Sequence, residues 1–575
     1  MTNSRSRYLL LTLCCAVLCL GTQAANKISK PLKEAHKATC AILTYDAQGS
    51  LLQSGQGIFI GEKGEVLTSY ELFRNATSAV AIDAAGISRP LNKVTGANEL
   101  YNIIRLTVAP DKKWHSLPVD SITAGEGEQL YLLPSSTAQK EIGTWLSVRR
   151  VESTNGHSYY TLAGEPAVAD LAGRGLVDSE GRLVAVMQPT ETGDSILYAI
   201  DARYGASLRI QALTLNEPSY QQLAFPKAMP EDVEQAKVYL FVAASQKDKD
   251  DYRQVVESFI EQFPGEYEGY ASRAKLNLEQ QGKEGVSLAI EDYEKALAVA
   301  QNKDEVYFEI SKQIATSLQL DSTAVSDDWN MDRAIDNVRQ AIAIRSLPAY
   351  YRHLGEILFI NKQYAESRDA YLAVCHSDEG NEESYYNAAV ASEQAGDSIA
   401  YIVALMDSAV MKASPASAMM DGKHTFQSAP YIYQRALLKA RNGMYRNAVA
   451  DLNLYEEIVG ASATDQFYYI REQVETSARM YQQALDDIDR AIEINPQPAF
   501  QLEKATLNIR VNRVDDAFAI LKELIVTYPE DPDCNRMIGY CFAVKGDKAK
   551  ARTYLEKAIS LGDENAENLL KHYCE

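Results

Sequence analysis

The hydrophobic pattern of this chain changes period near residue 230, and beyond that point it repeats. Before 230, apolar residues come in short runs at period two that end in turns such as 61–64 and 179–181. After 230 the period is 3.6, and helical stretches of about 10–15 residues alternate with short Gly/Asn/Asp turns. Small residues then return at a fixed interval. Ala517, Leu524 and Pro529 are followed by Ala551 and Ala558, with Ala551 placed 34 residues after Ala517. Ala484, Ala491 and Pro496 give the same triplet, and Ala448/Tyr455, Ser367/Val374 and Ala334/Ala341 are weaker copies. Gly355 and Gly539 stand where two helices need a close approach. One helix pair cannot bury its apolar stripe alone, so such a region must stack into an all-α solenoid. The pattern predicts roughly eight or nine helix pairs over 231–575, with the short segment from 565 capping the end.

The spacing resembles the tetratricopeptide repeat (TPR), a helix–turn–helix unit of about 34 residues. The resemblance implies an array that binds an extended peptide or a partner domain in a groove lined by first helices. Carried over residue by residue, the groove-facing fifth position falls on Arg352, Tyr386, Tyr433, Tyr469, Leu502 and Arg536, and Tyr540 lies further along the last groove helix. Tyrosine and arginine suit a binding surface, since each offers a large area with a polar tip. A slip of one residue would exchange this set with Tyr351, Tyr385 and Tyr468, the core position.

The period-two region, 35–208, carries a second resemblance. The run from Ser54 to Phe73 reads SGQGIFIGEKGEVLTSYELF, and Asn102-Ile103-Ile104-Arg105-Leu106 opens a later strand. Leu171-Ala172-Gly173-Arg174-Gly175-Leu176-Val177-Asp178, then Gly181-Arg182-Leu183-Val184-Ala185, follow further on. These frames resemble the chymotrypsin-like serine proteases, especially the HtrA-type branch, and imply a double β-barrel. Where that family has its histidine, aspartate and serine, this chain has Glu71, Asn102 and Ala172. The reaction needs a hydroxyl nucleophile, an imidazole base and a carboxylate to orient it. Asp170 also replaces a loop glycine beside the expected oxyanion donors, where its charge opposes a developing oxyanion. The family reading is therefore a pseudoprotease with no catalytic residue.

Arg5 and Arg7, the apolar run from Tyr8 to Gly21, and Thr22-Gln23-Ala24 form a leader over 1–24, the pattern of an exported chain. With the protease-like frame this suggests a bacterial envelope, periplasmic or outer-membrane-associated. No later run is long and apolar enough to span a bilayer. The net charge of −21 argues against nucleic acid, and it fits either protein or peptide partners or simply a solvated surface, the plainer reading. There is no C-x-x-C and no H-E-x-x-H, so neither a metal site nor a cofactor is expected. Cys541 and Cys574 are one repeat apart and pair as a disulfide or remain buried thiols. Residues 209–230, with Pro218, Pro226 and Pro230, read as an extended linker.

Two function classes follow. One is a non-catalytic scaffold or adaptor that binds through the repeat groove and the dead cleft; a structural subunit of an envelope assembly is its close variant. The other is an active serine endopeptidase with a non-standard site, which would have to use Ser153 or Ser158 beside His157, with the repeats recruiting substrate.

Overall fold

The computed structural model describes residues 28–574 apart from Lys63, 109–113, 136–141, Asn155, 166–170, 190–195, 280–281, 321–325 and 415–423. The leader at 1–24 and Asp170 lie outside the described residues. The chain forms two compact units. The first ends at Gln280 and also takes in Ser287–Ala300; the second holds Gln281–Val286 and Gln301 onward.

The first unit contains two closed antiparallel barrels of six strands each, the chymotrypsin-like architecture expected. Strands β1 (Thr39–Tyr45), β2 (Leu51–Ile60), β3 (Glu65–Thr68), β4 (Ser78–Asp83), β5 (Ser88–Asn98) and β6 (Ile103–Val108) close in the order β1-β2-β3-β6-β5-β4. Strands β7 (Gln129–Leu132), β8 (Thr144–Thr154), β9 (His157–Ala163), β10 (Gly175–Val177), β11 (Leu183–Met187) and β12 (Ile196–Asp201) close as β10-β11-β12-β9-β8-β7. Side chains alternate across a strand, and β2 shows what that does here. Phe59 fills its own barrel with Ile42, Val66 and Leu106. Ile58 and Ile60 point the other way, into a shared core with Val177, Leu183 and Val186 of the second barrel. Both faces of this end of β2 are buried, which is why it reads as a continuous apolar run.

Residues 209–230 correct the sequence expectation: they are not an extended linker but a strap on the first barrel. Tyr220 Oη accepts the Ala97 N–H at 2.7 Å, and Tyr70 donates its hydroxyl to the Ser219 carbonyl at 2.5 Å. Phe225 meets Phe73 edge-on at 5.2 Å. Val94 on β5 exchanges two backbone hydrogen bonds with Pro226 and Ala228, both 2.8 Å. Prolines suit this role because an added edge strand need not donate at every residue. The core then continues without a break into Ala236, Tyr239, Leu240, Val256 and Phe259 of helices Val233–Gln246 and Lys249–Gln262. The first helices thus belong to the barrels' compact unit, past the boundary at 230/231 that composition suggested.

The second unit is an all-α solenoid. Among its described residues, seven antiparallel hairpins run from Lys303–Leu320 with Met331–Ile344 to Pro532–Val544 with Lys548–Ser560, and a last helix, Asn565–Cys574, covers the final pair. The small residues singled out by their spacing lie at helix crossings. Ala517, Ala551 and Ala558 are fully buried, and a methyl on Gly355 or Gly539 would come within 2.9 Å of Tyr371 or Leu555.

Candidate functional site

The short turn Tyr70–Phe73 carries Glu71 outward while Tyr70, Leu72 and Phe73 anchor it inward. Asn102 closes the turn from the opposite side. Its Oδ1 accepts the Glu71 N–H at 2.9 Å, its amide nitrogen donates to Ser69 Oγ at 2.9 Å, and its carbonyl accepts the Tyr70 N–H at 3.3 Å. To do so Asn102 adopts φ of +43°, a conformation asparagine tolerates better than most residues. The Glu71 carboxylate turns to Arg74 Nε at 2.8 Å, and Arg74 also reaches Glu99 at 2.5 Å. Both side chains of the first pair are well exposed, so it is worth at most about 1 kcal/mol.

The Ala172 loop reaches the same region from the second barrel. Gly173 has φ of +81°, donates its N–H to Met187 O at 3.0 Å, and lies against β2. A Cβ on Gly173 would stand 2.1 Å from the Gln56 carbonyl oxygen and 3.2 Å from Thr68 Oγ1. Thr68 in turn donates to that Gln56 oxygen at 2.6 Å, and Ser135 Oγ donates to Gln56 Oε1 at 3.1 Å. Gln56, Thr68 and Ser135 form a polar seam between the barrels that sequence reading passed over. Their signal was weak, because no motif joins the three and they are far apart in sequence. Structurally, the region joins Asn102 directly to Glu71 and sets the Ala172 loop against the end of β3, three residues before Glu71.

Ser153, Ser158 and His157 are arranged differently from what a nucleophile and its base require. Ser153 and Ser158 are cross-strand partners on β8 and β9 and share one face. His157 precedes Ser158 on the same strand and therefore points to the other face, where its ring meets Tyr204 edge-on at 5.2 Å. A base must lie within hydrogen-bond reach of its nucleophile.

In the solenoid, Arg352, Tyr386, Tyr433, Tyr469, Leu502 and Arg536 are each the fifth residue of a first helix, and each is half-buried. They link successive hairpins. Tyr386 packs edge-on against Tyr431 at 5.9 Å, Tyr433 meets Tyr455 at 5.1 Å and Phe467 at 6.5 Å, and Tyr469 meets Phe500 at 5.1 Å. Arg352 pairs with Glu379 at 3.4 Å and Arg536 with Asp563 at 2.6 Å, while Tyr540 meets Tyr573 at 5.7 Å. Tyr386 also lines a small hollow with Gln434 and Arg441 of the next first helix. The core aromatic of helix Pro348–Ile360 is Tyr350, not Tyr351, whereas Tyr468 is buried as its neighbours' pattern suggests.

Two places later on the first helices lies a set the sequence reading missed. Arg435 grips Asp451 with two bonds, 2.9 and 2.8 Å, and reaches back to Asp407 at 2.7 Å. Arg471 does the same with Asp487, 2.6 and 2.7 Å, and with Glu456 at 2.6 Å. In the first unit Arg273 grips Asp292 and reaches Glu257. The recurring Ala-x-x-Asp of the second helices (Ala289/Asp292, Ala448/Asp451, Ala484/Asp487) was the available signal.

Of the two alternatives left open for Cys541 and Cys574, the structure has free thiols at both positions. Cys541 packs in a cluster with Ala517, Leu521 and Cys534, and Cys574 packs with Leu555, Ala558 and Ala566, so the two serve different layers. Burial pushes the Cys541 thiol up to about 11, which keeps it unreactive.

No protein-family model matches the chain, and no curated protein matches it. Among solved structures it is similar to a serine endoprotease from Yersinia pestis, with a TM-score of 0.27 and 15% identity, over 32% of this chain and 65% of that one. The chain thus spans just under two thirds of that protein's length. Among the described residues no helix is long and apolar enough to cross a membrane.

Proposed function

We propose that this protein is a non-catalytic, protein- or peptide-binding scaffold of the bacterial cell envelope, built from a pseudoprotease domain and tetratricopeptide-type repeats. The observation that carries the reading is the Ala172–Glu71–Asn102 set. An alanine methyl cannot attack a carbonyl. The carboxylate in the base's place is engaged by Arg74, and the asparagine serves the backbone of Glu71's own turn. What such a cleft retains is its walls, and strand edges can hold an extended peptide by main-chain hydrogen bonds. The repeated fifth-position residues supply a second surface, of aromatic and arginine character, along the first helices. Export through the leader at 1–24 would put both surfaces outside the cytoplasm.

The test is a crosslinking pull-down of the mature protein from its native envelope, with a fluorophosphonate-labelling lane. Defined partners crosslinked to 301–574 and no labelling support the scaffold. Labelling without partners would restore the hydrolase reading. The variant carrying Glu71→His, Asn102→Asp and Ala172→Ser together is expected to leave casein intact, because Arg174 and Asp170 still occupy the loop that must cradle an oxyanion.

A further inference from the structure

The strap, the β5 edge and helices Val233–Gln246 and Lys249–Gln262 enclose an open cavity of about 400 Å³. Lys93, Lys227 and Lys247 all line it, and Asp251 is the one acid among the described lining residues. The chain as a whole carries 78 acidic and 57 basic residues, so three cations against one anion reverse its ordinary balance. The arrangement is fixed by backbone. The two hydrogen bonds between Val94 and the strap hold Lys227 alongside β5, next to Lys93. Lys227 donates to the Leu223 carbonyl at 2.6 Å, and Lys247 stands 3.9 Å from Asp251, a loose pairing. Ala224, Pro226 and Val255 give the cavity an apolar floor, over the buried Phe225, Met229 and Tyr239.

Going beyond the scaffold role, we propose that this cavity binds a carboxylate-bearing ligand, its apolar body on Ala224, Pro226 and Val255 and its carboxylate shared by Lys93, Lys227 and Lys247. Lysine ammoniums are compact, rotatable donors, and three of them can converge on one carboxylate without the planar match that arginine imposes. The apolar floor favours an organic acid over a bare inorganic anion. Burial first, then the Lys247 charge, holds Lys227 down at about 8, with Asp251 opposing. A bound carboxylate adds a negative charge beside it and raises its proton affinity, so binding should weaken as pH rises from 7 to 9.

The experiment is calorimetric titration of the full mature chain with an N-acetylated leucyl-aspartate, its uncharged diamide, succinate and inorganic phosphate. We expect the peptide acid to bind, the diamide to fail, and Lys227→Met and Lys93→Gln each to weaken binding at least tenfold with unchanged far-ultraviolet circular dichroism. Succinate binding as tightly as the peptide assigns the site to free dicarboxylates; the peptide binding tighter assigns it to peptide termini. Binding of phosphate alone, equal binding by the diamide, undiminished binding by both folded lysine variants, or no heat at millimolar peptide would each overturn the proposal.

Discussion

At the residue scale, several polar side chains are held in places that set their chemistry. Asn102 is one. Replacing it with alanine removes the acceptor for the Glu71 N–H and puts a side chain less tolerant of positive φ at that position. Asn102→Ala should lower stability by about 1–3 kcal/mol in urea denaturation, and Asn102→Asp, which keeps the acceptor, by much less. Glu472 is another. It is fully buried, accepts one bond from Thr476 at 2.9 Å, and its second oxygen has no partner. Burial pushes its carboxyl up to about 7, with Glu503 and Asp487 adding to the rise, and Glu475 nearby is raised for the same reason. A carboxyl raised in the folded state binds its proton more tightly there than in the unfolded chain. Its stabilisation is therefore complete below the unfolded value near 4.5 and is lost as pH climbs through about 7. Melting temperature should fall between pH 5 and pH 8, and Glu472→Gln should recover on the order of 2 kcal/mol at pH 8 while changing little at pH 5.

At the element scale, several of the solenoid's hairpins are tied together by two devices, packed aromatics at the fifth position (Tyr386, Tyr433, Tyr469) and arginine grips at the seventh (Arg435, Arg471). Each grip ties a first helix to its own second helix and to the preceding one. The Arg471 and Asp487 side chains are only 8% and 9% exposed, so neither charge has water to fall back on once its partner is gone. Arg471→Ala is expected to cost about 3–5 kcal/mol, and a double-mutant cycle with Asp487→Asn should show strong non-additivity in guanidinium unfolding. Single effects that simply add would show the grip to be ornamental. How legible these elements were differs by device. The equivalence of Arg352, Tyr386, Tyr433, Tyr469 and Arg536 could be read from a repeat of about 34 residues, lengthened between Tyr386 and Tyr433, because a repeat places corresponding residues on corresponding helix positions. Their packing against the next hairpin could not, since it depends on how neighbours cross. The Arg–Asp grips were half visible, as an Asp recurring three residues after a buried Ala.

At the scale of the whole molecule, the barrels were legible because strand frames around Glu71, Asn102 and Ala172 keep their alternation and their turns. The strap was not. Pro218, Pro226 and Pro230 signal an extended path, and nothing local says that Phe225 and Tyr220 along that path will be swallowed by a barrel more than a hundred residues upstream in the chain. The lysine cavity was hidden for the same reason, with Lys93 and Lys227 far apart in sequence. A fragment ending at 208 would leave Phe73 and Val94 without their cover. It should bind a hydrophobic dye and melt without a cooperative transition, whereas a fragment ending at Ala300 should melt cooperatively. Equal cooperativity of the two fragments in calorimetry would show that the strap is dispensable.

The strap also bears on how such a chain can change over generations. Hairpins after Ala300 repeat one another's geometry, so a duplication or loss there inserts or removes a unit that its neighbours can accept. The hairpin at 233–262 cannot be exchanged this way, because Tyr239, Val256 and Phe259 complete a core that the β-strands begin. Length variation among descendants of this architecture should therefore accumulate in the distal array, while the first helices stay in step with the barrels.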